Sequence, residues 1–301
     1  MSIAVAISVH DGVVLAADSA STLASGLPGM PPGVTGPAQL AVNVYNNANK
    51  IANLCKGAPI GCVAHGSGSI GSASISTLLK DFREQLMTGR ETSFDRESYT
   101  IESVSQLLSN FLAEQIQRLS SKDPRPTLGI MVAGYSAEKT PGELRLGEVW
   151  TVGIQGGVCS PPQNMRLANP VGISWAGATE SLSRLLMGFS PVLPQLLQVV
   201  TKPRPSPQDM TRLMEFLGTN LTAPVVFAPM PIQDTIDLAE WLVQTAIMYS
   251  RFSPGAPIVG GPIESAAITK HEGFKWIRRK HYFKKKFNEE VGHEQLQHGS
   301  D

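Results

Sequence analysis

Three polar residues of the first fifty, Ser2, Asp18 and Lys50, carry the side chains that nucleophilic catalysis needs. Ser2 follows Met1, and serine is small enough that the initiator methionine is expected to be trimmed. Trimming would leave a hydroxyl and a free α-amine on one residue, a nucleophile and its base on a single backbone unit. An α-amine with an ordinary pKa of roughly 7.7–8.0 can take up and return a proton near neutral pH. A lysine ammonium beside the hydroxyl would lower the energy of the alkoxide and keep the amine partly neutral, and an aspartate would hold that lysine in place. Taken singly, each residue is ordinary. Many chains begin Met-Ser, an aspartate ending a strand is commonly a turn or cap residue, and a lone lysine is usually a surface charge.

The intervening elements bring the three together. IAVAISV (3–9) and VVLAAD (13–18) flank Asp11-Gly12 and read as a hairpin, which folds Asp18 back toward Ser2. Lys50 heads a further apolar segment, and GAPIGCVAHGSGSIG (57–71) follows as a strand and a Gly-rich turn. Such a turn at a helix start presents backbone N–H groups suited to an oxyanion. His65 lies in this stretch; a lone histidine near a turn is read as structural, since no aspartate is placed to orient it. Met1 to Gly66 thus form one compact unit of candidate chemistry.

Beyond it, strand and helix blocks alternate. In 73–87, Ile75, Leu78, Leu79, Phe82 and Leu86 share one helical face; in 102–119, Val104, Leu107, Leu108, Phe111, Leu112 and Leu119 do the same. A second strand block covers 127–174. Helices are expected at about 179–189 and 207–218, and at 233–250, where Ile236, Ala239, Leu242, Val243, Ala246 and Ile247 form a stripe; the last strands lie near 264–278. Strands, helices, strands, helices, strands is the order that a layered α/β sandwich requires. The chain reads as one domain over 1–278 with a Gly/Pro-rich insertion at about 23–46 and a polar tail at 279–301. Gly26, Pro28, Gly29, Pro31, Pro32, Gly33, Gly36 and Pro37 argue against a regular helix or central strand in that insertion, which is expected to cap the site or a subunit interface. The Pro-rich stretch 191–207 reads as an irregular connection.

In this order the segments resemble proteasome β-type subunits and their bacterial relatives, including the core protease of the two-component ATP-dependent system. TLGIMVAGYS (127–136) with GELRLGEVWTVGIQ (142–155) is similar to the family's central hairpin. NPVGISWAGATESLSRLL (169–186) is similar to its short strand, glycine turn and helix, and DTIDLAEWLVQTAIMYS (234–250) with GGPIESAAITKHEGFKWI (260–277) to its last long helix and closing strands. The resemblance implies an α/β (α+β) fold of N-terminal nucleophile type, a four-layer αββα sandwich of two packed antiparallel sheets. It implies a serine-type hydrolase that cleaves peptide or amide bonds through an acyl-enzyme on Ser2, with Asp18 and Lys50 as catalytic partners, Gly66 at the oxyanion and Thr22 contacting substrate backbone. No cofactor or metal is implied; a homo-oligomeric ring is, while an ATPase partner stays open. Two regions depart from the pattern. SWAGAT has Ala176 where active relatives carry a serine, with Ser174 close by, and RFSPGAPIVGG has no aspartate between Arg251 and Gly261. These departures favour one alternative, a non-catalytic assembly subunit of the same fold; a second is a small-molecule amidase or acyltransferase with the 23–46 segment closing over the site.

Composition narrows the classes further. Lys and Arg total 25 against 25 Asp and Glu, so no global field draws the chain to nucleic acid or to a membrane surface. Cys55, Cys62 and Cys159 have neither metal-ligand spacing nor a disulfide framework, which fits a reducing compartment. Residues 2–9 lack the basic region of a signal peptide, and the apolar stretch 221–232 is interrupted by Pro224, Pro229 and Pro231. The cytoplasm is the expected location.

Overall fold

The computed structural model describes residues 2–26, 39–89, 93–137, 145–166 and 169–281, with 23–26 and 39–42 described by their main chain alone. The first hairpin forms as expected: β1 (Ile3–Ser8) and β2 (Val13–Ala17) pair antiparallel, with Ala4 opposite Ala17 and Ser8 opposite Val13. The Val9 N–H closes the turn on Gly12 O at 2.9 Å. Both strands are buried along their whole length, which is why they read as continuous apolar runs rather than alternating ones. They form the centre of a five-stranded antiparallel sheet. β13 (Gly172–Gly177) lies beside β1, and β14 (Glu264–Thr269) followed by β15 (Gly273–Arg278) lies beside β2. A second antiparallel sheet runs in the order β11 (Val158–Cys159), β10 (Glu148–Gln155), β9 (Leu128–Gly134), β6 (Ile60–Gly66) and β5 (Ile51–Asn53), with β12 (Gln163–Asn164) also on β10, while β7 (Ser69–Ile70) and β8 (Ala73–Ser74) pair only with each other.

Three apolar clusters show what faces what. Ala4, Ala6, Leu15 and Ala266 of the first sheet meet Val63, Met131, Ala133 and Val149 of the second in one cluster. Ile3, Val5 and Ile7, on the opposite face of β1, pack with Leu182 and Leu186 of α3 (Glu180–Met187) and with Ile236, Ala239, Leu242, Val243 and Ala246 of α6 (Ile232–Phe252). On the far side of the second sheet, Ile60, Cys62, Ile130 and Val152 pack with α1 (Ile75–Thr88) and α2 (Ile101–Gln117). The five residues expected on the apolar face of α1 are the five it buries, each contributing roughly 1.5–3 kcal/mol of transfer free energy. Ser74 caps that helix by accepting from the Thr77 N–H at 3.1 Å, and Thr100 and Ser103 form a capping box on α2. Among the described residues the fold is a mixed α+β arrangement of two main antiparallel sheets and six helices.

The structure corrects two expectations. Part of the 23–46 insertion is regular: β3 (Ser21–Gly26) and β4 (Gln39–Tyr45) pair antiparallel, Thr22 opposite Val44, as a two-stranded ribbon separate from both sheets. Of the glycines and prolines that argued against structure, Gly26 ends β3 and the other seven fall in 27–38, which lies outside the described residues, while the flanks are free of proline. The stretch 191–207, expected to be irregular, contains α4 (Leu193–Val200). Pro194 falls in its first turn, where the missing N–H has no intrahelical partner to lose. α4 buries none of its residues, and α5 (Pro207–Leu221) buries only Met210.

Candidate active site

Asp18 lies just beyond the end of β2 and is fully buried, a position that demands compensation for its charge. It receives four donors. Oδ1 accepts from the Ile3 N–H at 3.0 Å and from Lys50 Nζ at 2.5 Å. Oδ2 accepts from the Ala20 N–H at 3.1 Å and the Gly260 N–H at 3.0 Å. Lys50, itself only 7% exposed, reaches this carboxylate from the residue preceding β5. Burial pulls its ammonium below the ordinary lysine range, Asp18 pushes the other way, and the nearby positive charge of Lys280 adds to the lowering.

The backbone of Ser2 is held on the same spot. Its carbonyl accepts from the Ala178 N–H at 2.7 Å, and the amide of the following residue is the Ile3 N–H on Asp18. The peptide unit leaving Ser2 is therefore fixed at both its oxygen and its nitrogen. Gly177 makes this approach possible: its φ is +99°, and a Cβ there would stand 1.9 Å from Ser2 O. At the other side Gly261, with φ of +75°, lets the turn before β14 close over the Asp18 loop, since a Cβ would meet Asn46 O at 2.4 Å.

A cleft of about 460 Å³ opens over this floor. Ser2, Thr22, Lys50, His65 and Gly66 line it, together with Asn47 to Asn49, Ser67, Gly68 and the first turn of α1 as far as Lys80. Four of the five residues expected to act, Ser2, Lys50, Gly66 and Thr22, thus share one cleft, and Asp18 lies beneath it, bonded to Lys50. His65 stays neutral: burial and the adjacent Lys50 charge lower its pKa to about 4. Its ring packs against Gly129, where a Cβ would sit 2.3 Å from Nε2.

Sequence reasoning missed a second layer behind Asp18. Glu264 is 1% exposed at the start of β14, and Lys280 pairs with it at 3.2 Å. Lys280 also donates to Ser19 Oγ and, at 2.7 Å, to Ala48 O. The chain therefore remains engaged two residues beyond the boundary placed at 278; residues 282–301 of the tail lie outside the described residues. A charged residue inside the otherwise apolar strand IESAAIT was the available signal for Glu264. The turn before Gly261 contributes the Gly260 N–H to Asp18, at 3.0 Å from Oδ2. Ser174 is buried in β13 opposite Ala6, and Ala176 lies opposite Ala4.

Among the described residues no group of three or more His, Cys, Asp and Glu side chains is placed to hold a metal ion, and no helix is long and apolar enough to cross a membrane. All three cysteines are free thiols. No family model matches the sequence, and no curated protein matches it.

Proposed function

We propose that the protein is a serine-type N-terminal nucleophile hydrolase that cleaves peptide or amide bonds. One observation carries the reading: a single buried atom, Asp18 Oδ1, holds both the Lys50 ammonium and the amide that follows Ser2. A buried lysine is costly and is tolerated here through Asp18, and buried, charge-paired groups that open onto a cleft cluster at functional sites. The apolar clusters support the reading as well, for two sheets packed on each other with helices outside make the αββα layering of that fold class.

In the proposed cycle, removal of Met1 frees the Ser2 α-amine. The amine takes the proton of Ser2 Oγ as the oxygen attacks the scissile carbonyl, and the Lys50 ammonium stabilises the developing alkoxide. Along β6, Ala64 donates its N–H to Lys50 O at 2.8 Å; strand alternation turns the Gly66 N–H to that same edge, where it can receive the tetrahedral oxyanion. Collapse expels the leaving amine, protonated by the Ser2 ammonium. Water then attacks the Ser2 ester, gives up a proton to the amine, and releases the acid with Oγ reprotonated. Thr22, on the ribbon edge of the cleft, is placed to bond an extended substrate, and a ring of subunits in the cytoplasm is the proposed setting.

The test compares hydrolysis of a fluorogenic peptide panel and of small amides by the wild type and Ser2→Ala. Cleavage of peptides that vanishes in the variant supports the reading. Turnover restricted to small amides would move the assignment to the amidase alternative, and equal turnover in Ser2→Ala would overturn it.

A further inference from the structure

We infer that Lys280 and Glu264 form a second, outer ion pair whose charges set the working pH of the Ser2–Lys50 centre. The inference deepens the hydrolase reading and rests on it. Lys280 is a positioning residue in this account and touches no substrate.

The geometry places the outer pair directly behind the inner one. Glu264 begins β14, where it lies opposite Ala17, the residue before Asp18. The ammonium of Lys280 bonds Ser19 Oγ, next to Asp18, and Ala48 O, two residues before Lys50. Ser19 Oγ in turn donates to Pro262 O at 2.5 Å. One cation thus ties together the chain after Asp18, the chain before Lys50 and the turn that supplies the Gly260 amide. Both members are buried or nearly so, with side-chain exposures of 15% and 2%, so water screens their charges weakly. Glu264 accepts the Lys280 main-chain N–H through Oε1 at 3.3 Å and pairs with its ammonium through Oε2 at 3.2 Å, so the two charges are held together and the loss of either leaves the other uncompensated. The charged groups around Lys50 are Asp18, Lys280 and Glu264 below it, with His65, neutral, and Lys80 on the cleft wall.

The sign of the effect follows from charge. Catalysis as proposed needs a neutral Ser2 amine and a protonated Lys50, so its rate against pH is bell-shaped, the amine giving the acid limb and Lys50 the alkaline limb. Removing the Lys280 charge leaves Glu264 uncompensated; the added negative field favours the protonated form of both amines, and both limbs move to higher pH. Removing the Glu264 charge does the reverse. Removing both restores the balance.

The experiment measures the pH profile of Ser2 acylation by a β-lactone in Lys280→Met, Glu264→Gln and the double variant, following the titration of Lys50 by ¹³Cε-lysine NMR with Lys50→Met as the assignment control. Both limbs are expected to rise in Lys280→Met, fall in Glu264→Gln and return in the double variant. The acylation rate of Lys280→Met on the acid limb should drop roughly tenfold, the consequence of about one unit of displacement. Limbs that stay in place, or that move the same way in both single variants, overturn the inference, because loss of structure alone slows the reaction without opposite displacements. Should a single variant fail to fold, Lys280→Arg serves instead: it keeps the charge and should keep the wild-type profile, and a displaced profile there overturns the inference too. A wild type that takes no label at Ser2 refutes the hydrolase reading, while the Lys50 resonance still reports whether the outer pair controls its titration.

Discussion

Two ion pairs of this molecule have nearly the same length and opposite meaning. Lys50 stands 2.5 Å from Asp18 in the interior, with side-chain exposures of 8% and 0%; Arg184 stands 2.6 Å from Glu180 on the surface of α3, with exposures of 56% and 37%. Distance alone does not separate them. Water screens the α3 pair and each partner can be solvated without the other, so it adds little beyond local helix support. The interior pair has no such alternative: each charge is tolerable only because the other is there, together with three backbone amides. Burial turns one contact into a means of holding a lysine with a depressed pKa in the cleft that Ser2 also lines.

The largest break in that contrast should come from Asp18→Ala. It strands the Lys50 ammonium and leaves the Ile3, Ala20 and Gly260 amides without their acceptor. Urea unfolding is expected to show a loss of about 3–5 kcal/mol, the scale of breaking a buried pair, along with loss of activity. Lys50→Met should cost less than half as much stability, because Asp18 keeps its three amide donors. Turnover in that variant should nonetheless fall by roughly 10²-fold or more, and Lys50→Arg should not restore it, since a guanidinium differs in shape and basicity. Equal stability losses in the Asp18 and Lys50 variants would mean that the amides contribute nothing.

A pH effect of intermediate size belongs to His65. Its folded pKa of about 4 lies below the ordinary 6.5, so between these values the unfolded chain binds a proton that the fold refuses. Stability should therefore fall as pH drops from about 6.5 to about 4, by on the order of 2–3 kcal/mol, and this component should be absent from His65→Gln when the two stability profiles are subtracted. A flat difference profile would contradict a neutral, half-buried imidazole. At the bottom of the scale, Arg184→Ala should leave the unfolding midpoint within error, and a clear shift there would erase the distinction between the pairs.

The first hairpin and helices α1, α2 and α6 were legible because each obeys a local rule: apolar runs broken at Asp-Gly, or a stripe with a period near 3.6. Ser2, Asp18 and Lys50 were legible as an ordered set but not as a geometry, since the sequence does not state that Asp18 bonds the Ile3 amide. The outer pair was out of reach altogether. Glu264 and Lys280 are 16 residues apart, on either side of a hairpin, and their partners Ser19 and Ala48 come from the opposite end of the chain. Where proline density was read as irregularity, α4 shows that position within the helix, not proline count, decides.

The central claim is that Ser2, freed of Met1, is a nucleophile activated at the Asp18–Lys50 floor of the cleft. Intact-mass analysis before and after exposure to a β-lactone tests it most directly. The account predicts a protein lacking Met1 that gains one adduct, mapped to Ser2, and a Ser2→Ala variant that gains none. Retained Met1, or an adduct that persists in Ser2→Ala, would contradict it.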